Sequence, residues 1–270
     1  MDELTIIKNL YRPLQPTIGP SDDDVSYREI KPKQTLSDMV YCFWQLRTIR
    51  PLGQQFTYRV VADGCIDIFF DMAETGKSFI MGFCQKYTEF PLADTFNYVG
   101  IRFYPTMFPQ LFHISAKKLS NNAFELDQIV PELAKFIKNK ITADMELPQI
   151  VVPLNAYLAE VVSNTELHMD NRLYGALHLI LQNQGILKIE RDLDTGISPR
   201  QLRRLFDYYI GTSPKTFSKV IQFQNVLRAQ LTVQNLRTNK VFYDSGYSDQ
   251  AHFIRDFKNF YGVTPATAFK

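Results

Sequence analysis

Two hydrophobic rhythms divide this chain. From Val25 to about Ala116 the apolar residues fall in short runs rich in aromatic and β-branched side chains, broken by Gly, Pro and Asp. That is the signature of half-buried strands. The runs predict strands at Tyr27–Ile30, Met39–Arg47, Phe56–Val61, Ile66–Asp71, Phe79–Phe83 and Tyr98–Phe103, with Ala62-Asp63-Gly64 as a tight turn between two of them. Six or more strands at this spacing predict a barrel- or sandwich-like domain. From Leu126 onward the spacing becomes helical. Ile129, Leu133, Phe136 and Ile137 recur within Gln128–Asn139, and Leu173, Ala176, Leu177 and Ile180 within Arg172–Leu181. Pro148 and Pro153 are expected to break or kink the chain before a further helix, Leu154–Val162. Residues 1–24 read as an irregular arm, with Pro13, Pro16, Gly19 and Pro20 ahead of Asp22-Asp23-Asp24. The predicted fold is α+β in two domains: a β-rich domain with a helical connector over 1–165, and an all-α domain over 166–270. Their junction falls near Ser163–Asp170, where Ser, Asn, Thr and Asp cluster.

The all-α part contains one unit twice. In the first copy a turn at Gly196 leads to Ser198 as N-cap and Pro199 at the first helical position. Leu202, Leu205, Phe206 and Tyr209 then form an apolar stripe, while Arg200, Arg203 and Arg204 fall on the other side. The second copy runs from Ser248 through Phe257. Relative to Phe206 and Phe257, an apolar residue lies four before (Leu202, Phe253) and an arginine two before (Arg204, Arg255). A glycine lies five after (Gly211, Gly262) and a proline eight after (Pro214, Pro265). A short amphipathic helix with a basic outward face suits the major groove. Its repetition makes chance a poor explanation. Between the copies, Phe217, Val220, Ile221, Val226, Leu227 and Leu231 predict a long helix opened by Pro214, a strut that holds the two readers apart.

These residues resemble the AraC family of bacterial transcription regulators. The resemblance rests on Gly246-Tyr247-Ser248-Asp249-Gln250-Ala251-His252-Phe253, on Phe257-Lys258-Asn259-Phe260-Tyr261-Gly262-Val263-Thr264-Pro265, and on Ser198 to Pro214. It implies two helix-turn-helix motifs, with scaffold helices over Ile186–Asp194 and Asn239–Ser245. It also implies DNA contacts at Ser198, Arg200, Gln201, Arg203 and Arg204 in the first motif and at Gln250, His252 and Arg255 in the second. Arginine pairs with guanine more often than with any other base, so guanine is expected in the first half-site. Ala251 offers only a methyl contact, and His252 either approaches a phosphate or packs inward. The family usually has a small residue four positions before the turn glycine, where Asp192 and Phe242 stand here; the scaffold helices are therefore expected to be shifted or differently packed. Val40–Trp44, Ala62–Phe70 and Gly100–Pro105 resemble the sensor domain of one subgroup, which implies an effector or dimerisation module. Promoter DNA and RNA polymerase are the partners implied, with activation the commoner mode. Leu154, Tyr157, Leu158 and Val161 form a stripe suited either to a homodimer or to packing on the parent domain.

Charge supports the DNA reading. Residues 185–270 carry 13 Lys and Arg against 7 Asp and Glu, and the remainder 17 against 21, so the basic excess lies where phosphate attraction needs it. No apolar window of about twenty residues exists to span a membrane. Met1-Asp2-Glu3-Leu4 lacks a secretory pattern, so a cytoplasmic location is expected. Cys42, Cys65 and Cys84 are too few and scattered for a disulfide frame or zinc site. Neither His113, His168, His178 and His252 nor any phosphate-binding or nucleophile motif implies a cofactor or catalysis. Asp63 and Asp67 could pass for a carboxylate pair, but a turn former and a strand-surface residue are the simpler reading. Trp44, Tyr58, Arg102 and Tyr104 are candidate pocket residues for a small-molecule effector, with Arg102 receiving an anion; the alternative is a filled aromatic core with Arg102 in an ion pair. Three functional readings follow: a ligand-responsive DNA-binding regulator, a regulator whose first half is a ligand-free protein-interaction module, and an enzyme fused to a DNA reader. The third needs a reactive cysteine cluster that three isolated thiols do not supply.

Overall fold

The computed structural model describes residues 3–15, 24–229 and 240–269. Pro16, Gly19, Pro20, Asp22 and Asp23 of the arm, Leu231 of the strut pattern and Asn239 of the second scaffold lie outside the described residues. The strands are β1 (Val25–Ile30), β2 (Val40–Thr48), β3 (Phe56–Val60), β4 (Ile66–Asp71), β5 (Ser78–Met81), β6 (Thr88–Leu92), β7 (Asn97–Phe103) and β8 (Ala123–Glu125). Six of them pair in the order β1-β2-β7-β4-β5-β8, and β3 pairs with β6 as a separate ribbon. All pairs are antiparallel, and the two sheets are not joined into a closed barrel. The architecture is thus the sandwich-like form of the predicted domain. Two strands escaped the sequence pattern for local reasons: β6 carries Pro91 and stays half in solvent, and β8 has only three residues.

The central strands alternate as the pleat requires. Phe43, Ile68, Phe70, Val99, Ile101 and Phe103 are fully buried on one face, which the helices cover. On the other face Trp44 and Leu46 meet Tyr58 and Val60 from the ribbon. The helices are α1 (Glu3–Leu10), α2 (Met107–Phe112), α3 (Ala116–Leu119), α4 (Leu126–Ile129), α5 (Pro131–Lys140), α6 (Leu147–Ser163) and α7 (Asn171–Gln182). They continue as α8 (Ile189–Asp192), α9 (Pro199–Tyr209), α10 (Pro214–Arg228), α11 (Lys240–Asp244), α12 (Gln250–Tyr261) and α13 (Pro265–Ala268).

Two expectations need correction. The start of the arm is a helix, α1, because Leu4 and Ile7 bury one face against α7. The prolines do not break α6: Pro148 sits in its first turn, where a missing N–H is harmless. The helix continues through Pro153, held to the core by buried Ile150, Leu154 and Leu158. Of the two alternatives for the Leu154 stripe, it lies largely inside the chain's own fold, with Leu154 and Leu158 buried and the Tyr157 ring tilted against Phe136 at 4.5 Å. One apolar cluster runs from Leu4 through the sheet to Tyr261, so the β-rich and helical parts share a core.

Candidate nucleic-acid interface and ligand cavity

The sequence repeat is also a structural repeat. A capping box fixes the start of α9: Ser198 Oγ accepts from the Gln201 N–H at 3.3 Å, and Gln201 Oε1 accepts from the Ser198 N–H at 3.1 Å. At α12 the cap is Asp249, whose carboxylate accepts from the His252 N–H at 2.7 Å. That bond and one from Ser248 hold the Asp249 carboxyl below its usual range. Phe206 and Phe257, each eight residues after its cap, are fully buried against α10, with ring centroids 6.1 Å from Phe217 and 5.6 Å from Phe223. The turn glycines Gly196 and Gly246 have φ of +71° and +77°, and the helix-ending Gly211 and Gly262 have +92° and +100°. A side chain at these positions would be strained.

With both stripes turned inward, Arg200, Gln201, Arg203 and Arg204 are exposed on α9, as are Gln250, Ala251 and Arg255 on α12. Ser198 is exposed too, but its hydroxyl is engaged in the cap. His252 is half-buried: its ring lies edge-on to Tyr247 at 5.4 Å, and Nε2 is 3.3 Å from Asp256 Oδ2. Lys219 of α10 binds the same oxygen at 3.0 Å.

The two departures from the family pattern have separate solutions. Asp192 ends a scaffold helix of one turn and folds back, accepting from the Lys188 N–H at 3.0 Å and Arg191 Nε at 2.6 Å. Phe242 is buried and stacked on Phe253, with centroids 6.4 Å apart. An aromatic pair thus seats α11 on α12.

A second feature lies between the six-stranded sheet and the β3–β6 ribbon: a cavity of about 270 Å³. Strand register explains its lining. Trp44, Gly100 and Phe69 are aligned across β2, β7 and β4. A Cβ at Gly100 would lie 2.2 Å from the indole, so the glycine makes room for the Trp44 ring. Two positions along, on the same face, Cys42, Arg102 and Asp67 are aligned. Arg102 donates through Nε and Nη2 to Asp67, each at 3.0 Å, and its Nε lies 3.6 Å from Asp63 Oδ2. Trp44 Nε1 donates to the same Asp67 carboxylate at 3.3 Å. Burial pushes the Asp67 carboxyl up and the adjacent guanidinium pulls it back, with a net upward shift.

Of the four candidate pocket residues, Trp44, Tyr58 and Arg102 line the cavity and Tyr104 does not. Tyr104 lies beyond the end of β7, edge-on to Tyr41 at 5.5 Å and Tyr11 at 6.3 Å. Arg102 is in an ion pair rather than open to an anion, and Asp67 is a buried partner rather than a strand-surface residue. Phe79, Phe90 and Tyr98 complete aromatic walls that the sequence reading missed. For Tyr98 the signal was available, since it shares a strand face with Arg102.

The two features are physically joined. Asp63 belongs to the loop after β3, and Tyr11 donates from its hydroxyl to the Asp63 carbonyl. Gln15 Nε2 donates to Asp63 Oδ2 at 2.8 Å. Next to it the Ala62 carbonyl accepts from Gln224 Nε2 on α10 at 2.8 Å, and the Ala62 N–H donates to Phe260 O on α12 at 3.2 Å. Gly64, with φ of +84°, brings the loop against Phe217. On the other side Ser120 Oγ donates to Gly211 O at 2.5 Å, and Lys117 pairs with Asp207 at 3.1 Å. The carboxy-terminal ends of both reader helices are thus held by the β-rich part. Among the described residues, no group of three or more His, Cys, Asp or Glu is placed to hold a metal ion, and no helix is long and apolar enough to cross a membrane.

Two capped helices with exposed basic faces, seated in the same register on one strut, define a double helix-turn-helix DNA-binding domain. In agreement, residues 194–270 match the family described as a helix-turn-helix domain, and residues 28–125 match a domain of unknown function, DUF6597. The helix-turn-helix region is of the AraC type. No curated protein matches the chain in sequence. Solved structures with some likeness include ToxT from Vibrio cholerae O395, 11% identical with a TM-score of 0.30, covering 80% of this chain and 96% of that one. ToxT bound to (E)-4-(8-methylnaphthalen-1-yl)but-3-enoic acid is 9% identical with a TM-score of 0.38, covering 91% and 97%. Unsaturated fatty acid bound wild-type ToxT is 11% identical with a TM-score of 0.31, covering 80% and 94%. At such distances no ligand or partner carries over.

Proposed function

We propose that this chain is a sequence-specific transcription regulator that binds promoter DNA through residues 166–270 and responds to a small molecule held by residues 1–165. The observation that carries the reading is the pair of exposed basic helix faces, α9 and α12, mounted in one register on α10. Arg200, Arg203, Arg204 and Arg255 make the base and phosphate contacts, with Gln201 and Gln250 beside them; Ser198 orients α9 and His252 orients α12. Successive major grooves on one face of B-DNA recur about every 34 Å, which is what two readers on one strut would address. The cavity beneath the β3–β6 ribbon supports the effector over the alternative of a ligand-free interaction module, because the aromatic side chains line a space rather than fill it.

The route from effector to DNA is the Asp67–Arg102–Asp63 group and the Ala62–Gly64 loop, which touches both the strut and the second reader helix. Ligand in the cavity shifts the balance between two settings of that loop. Activation by contact with RNA polymerase is the output that the family implies.

The test is a salt-titrated binding assay of the full chain on its own gene's upstream DNA against a scrambled duplex, paired with a promoter fusion. Selective binding that weakens steeply with salt is expected, and the fusion is expected to lose expression when Arg203 is replaced. Equal affinity for both duplexes, with and without added effector, would overturn the reading.

A further inference from the structure

The cavity allows its ligand to be specified by chemical class, an inference that rests on the effector reading above. Its walls are aromatic and aliphatic, with Trp44, Tyr58, Phe69, Phe90 and Met81 among the lining residues. The only ionisable carboxylate and the only cation among its lining residues are Asp67 and Arg102. They neutralise each other through two bonds of 3.0 Å. Asp63, outside the lining, adds a second carboxylate 3.6 Å from the same guanidinium. An entering anion would therefore meet one cation already flanked by two carboxylates, in a site where burial penalises any unpaired charge. An entering cation would find both Asp67 oxygens already engaged, by Arg102 and by the Trp44 N–H. A polar neutral group meets neither obstacle. Arg102 Nη1 has no hydrogen-bond partner among the described residues, since the bonds to Asp67 run through Nε and Nη2. It is left as a donor for a carbonyl or hydroxyl oxygen. The volume, about 270 Å³, lies just under the roughly 300–1,000 Å³ usual for ligand pockets, which suits one ring or two fused rings.

We propose that the cavity binds a small, flat, uncharged aromatic molecule whose carbonyl or hydroxyl oxygen accepts from Arg102, and that it discriminates against the corresponding anion.

The chain has a single tryptophan, Trp44, so an amide correlation spectrum of the nitrogen-labelled protein shows one indole N–H signal, and that signal comes from the cavity wall. Cinnamamide, cinnamate and cinnamylammonium share a ring and a chain and differ in charge. Titrating each into the full-length protein, with the indole signal and calorimetry as readouts, should rank the amide at least tenfold above the carboxylate and above the ammonium. Asp67→Asn removes one of the two carboxylates and should narrow or reverse the amide-over-carboxylate preference; the wild-type ranking stands by itself should that variant fold poorly. If cinnamate or cinnamylammonium moved the indole signal at lower concentration than the amide, the assignment of ligand class would be overturned while the cavity kept its effector role. If none of the three moved it, the receptive cavity itself would be refuted, and the class assignment with it.

Discussion

Gln224 is the point at which the joint between the β-rich part and the reader helices can be opened by itself. This buried side chain on α10 accepts from the Leu14 N–H at 2.8 Å and donates to the Ala62 carbonyl at 2.8 Å and the Leu14 carbonyl at 3.3 Å. Leucine in its place keeps most of the volume and removes all three bonds. The Leu14 groups are part-exposed and regain water, which limits their loss to the net worth of ordinary hydrogen bonds, about 1 kcal/mol together. The Ala62 carbonyl is buried and left unsatisfied, for a further ~1–3 kcal/mol. A total of about 2–4 kcal/mol corresponds to a roughly 30- to 1,000-fold rise in the open population of the joint. Amide hydrogen exchange reads that population directly. In Gln224→Leu the amides of Ala62 and Tyr87, which donate to Phe260 and Asn259 of α12, should exchange faster by this factor. Amides of the central strand β7 should keep their protection. DNA affinity should also lose its response to effector while the indole signal of Trp44 still reports binding. Unchanged exchange at Ala62 would refute the bridge. Equal acceleration in β7 would show that the joint and the sheet open as one unit, and that no separable coupling element exists there.

Three further outcomes are expected. Arg203→Ala should weaken binding to the cognate site by about 1–3 kcal/mol and relax selectivity at one base pair; fluorescence anisotropy on single-substitution duplexes tests this, and a uniform loss over all of them would make Arg203 a phosphate contact. Gly100→Ala should displace the Trp44 indole, which a Cβ would approach to 2.2 Å, destabilise the protein by about 1–3 kcal/mol in urea unfolding and abolish binding at the cavity; an unshifted indole signal would refute the packing. Burial pushes the Cys84 thiol up to about 11 and the Cys42 and Cys65 thiols higher. Below those values the neutral thiol is the form present, so all three should react slowly with a disulfide reagent at pH 8 until the chain is unfolded; one fast thiol would contradict this.

Where local chemistry decided the outcome, the sequence was legible. The Ser198 N-cap, the paired prolines and glycines and the apolar stripes of α9 and α12 act within a dozen residues, and their positions agree with the structure. Strands β2, β4 and β7 were visible because alternation over six or more residues leaves few other solutions. The failures have an equally local cause. Pro153 argues against a helix taken alone, yet α6 persists because its buried face outweighs one lost bond. The arm looked irregular because its prolines were weighed above Leu4 and Ile7, whose burial depends on a partner helix some 165 residues away.

By itself, the sequence determined the reader: helix starts, helix ends and basic faces are set by near neighbours, and their duplication made them recognisable. Only the tertiary structure decided the cavity in the β-rich part. Which of Trp44, Tyr58, Arg102 and Tyr104 share a cavity depends on strand register and on which side of the sheet each side chain falls. Whether Arg102 is open to a ligand depends on Asp63 and Asp67, 39 and 35 positions earlier in the chain. The same holds for the joint at Gln224, because hydrogen bonds spanning up to 210 residues leave no periodic trace in a sequence. Short-range capping and periodicity are written in adjacent residues; charge pairing and cavity shape emerge only when distant segments are brought together.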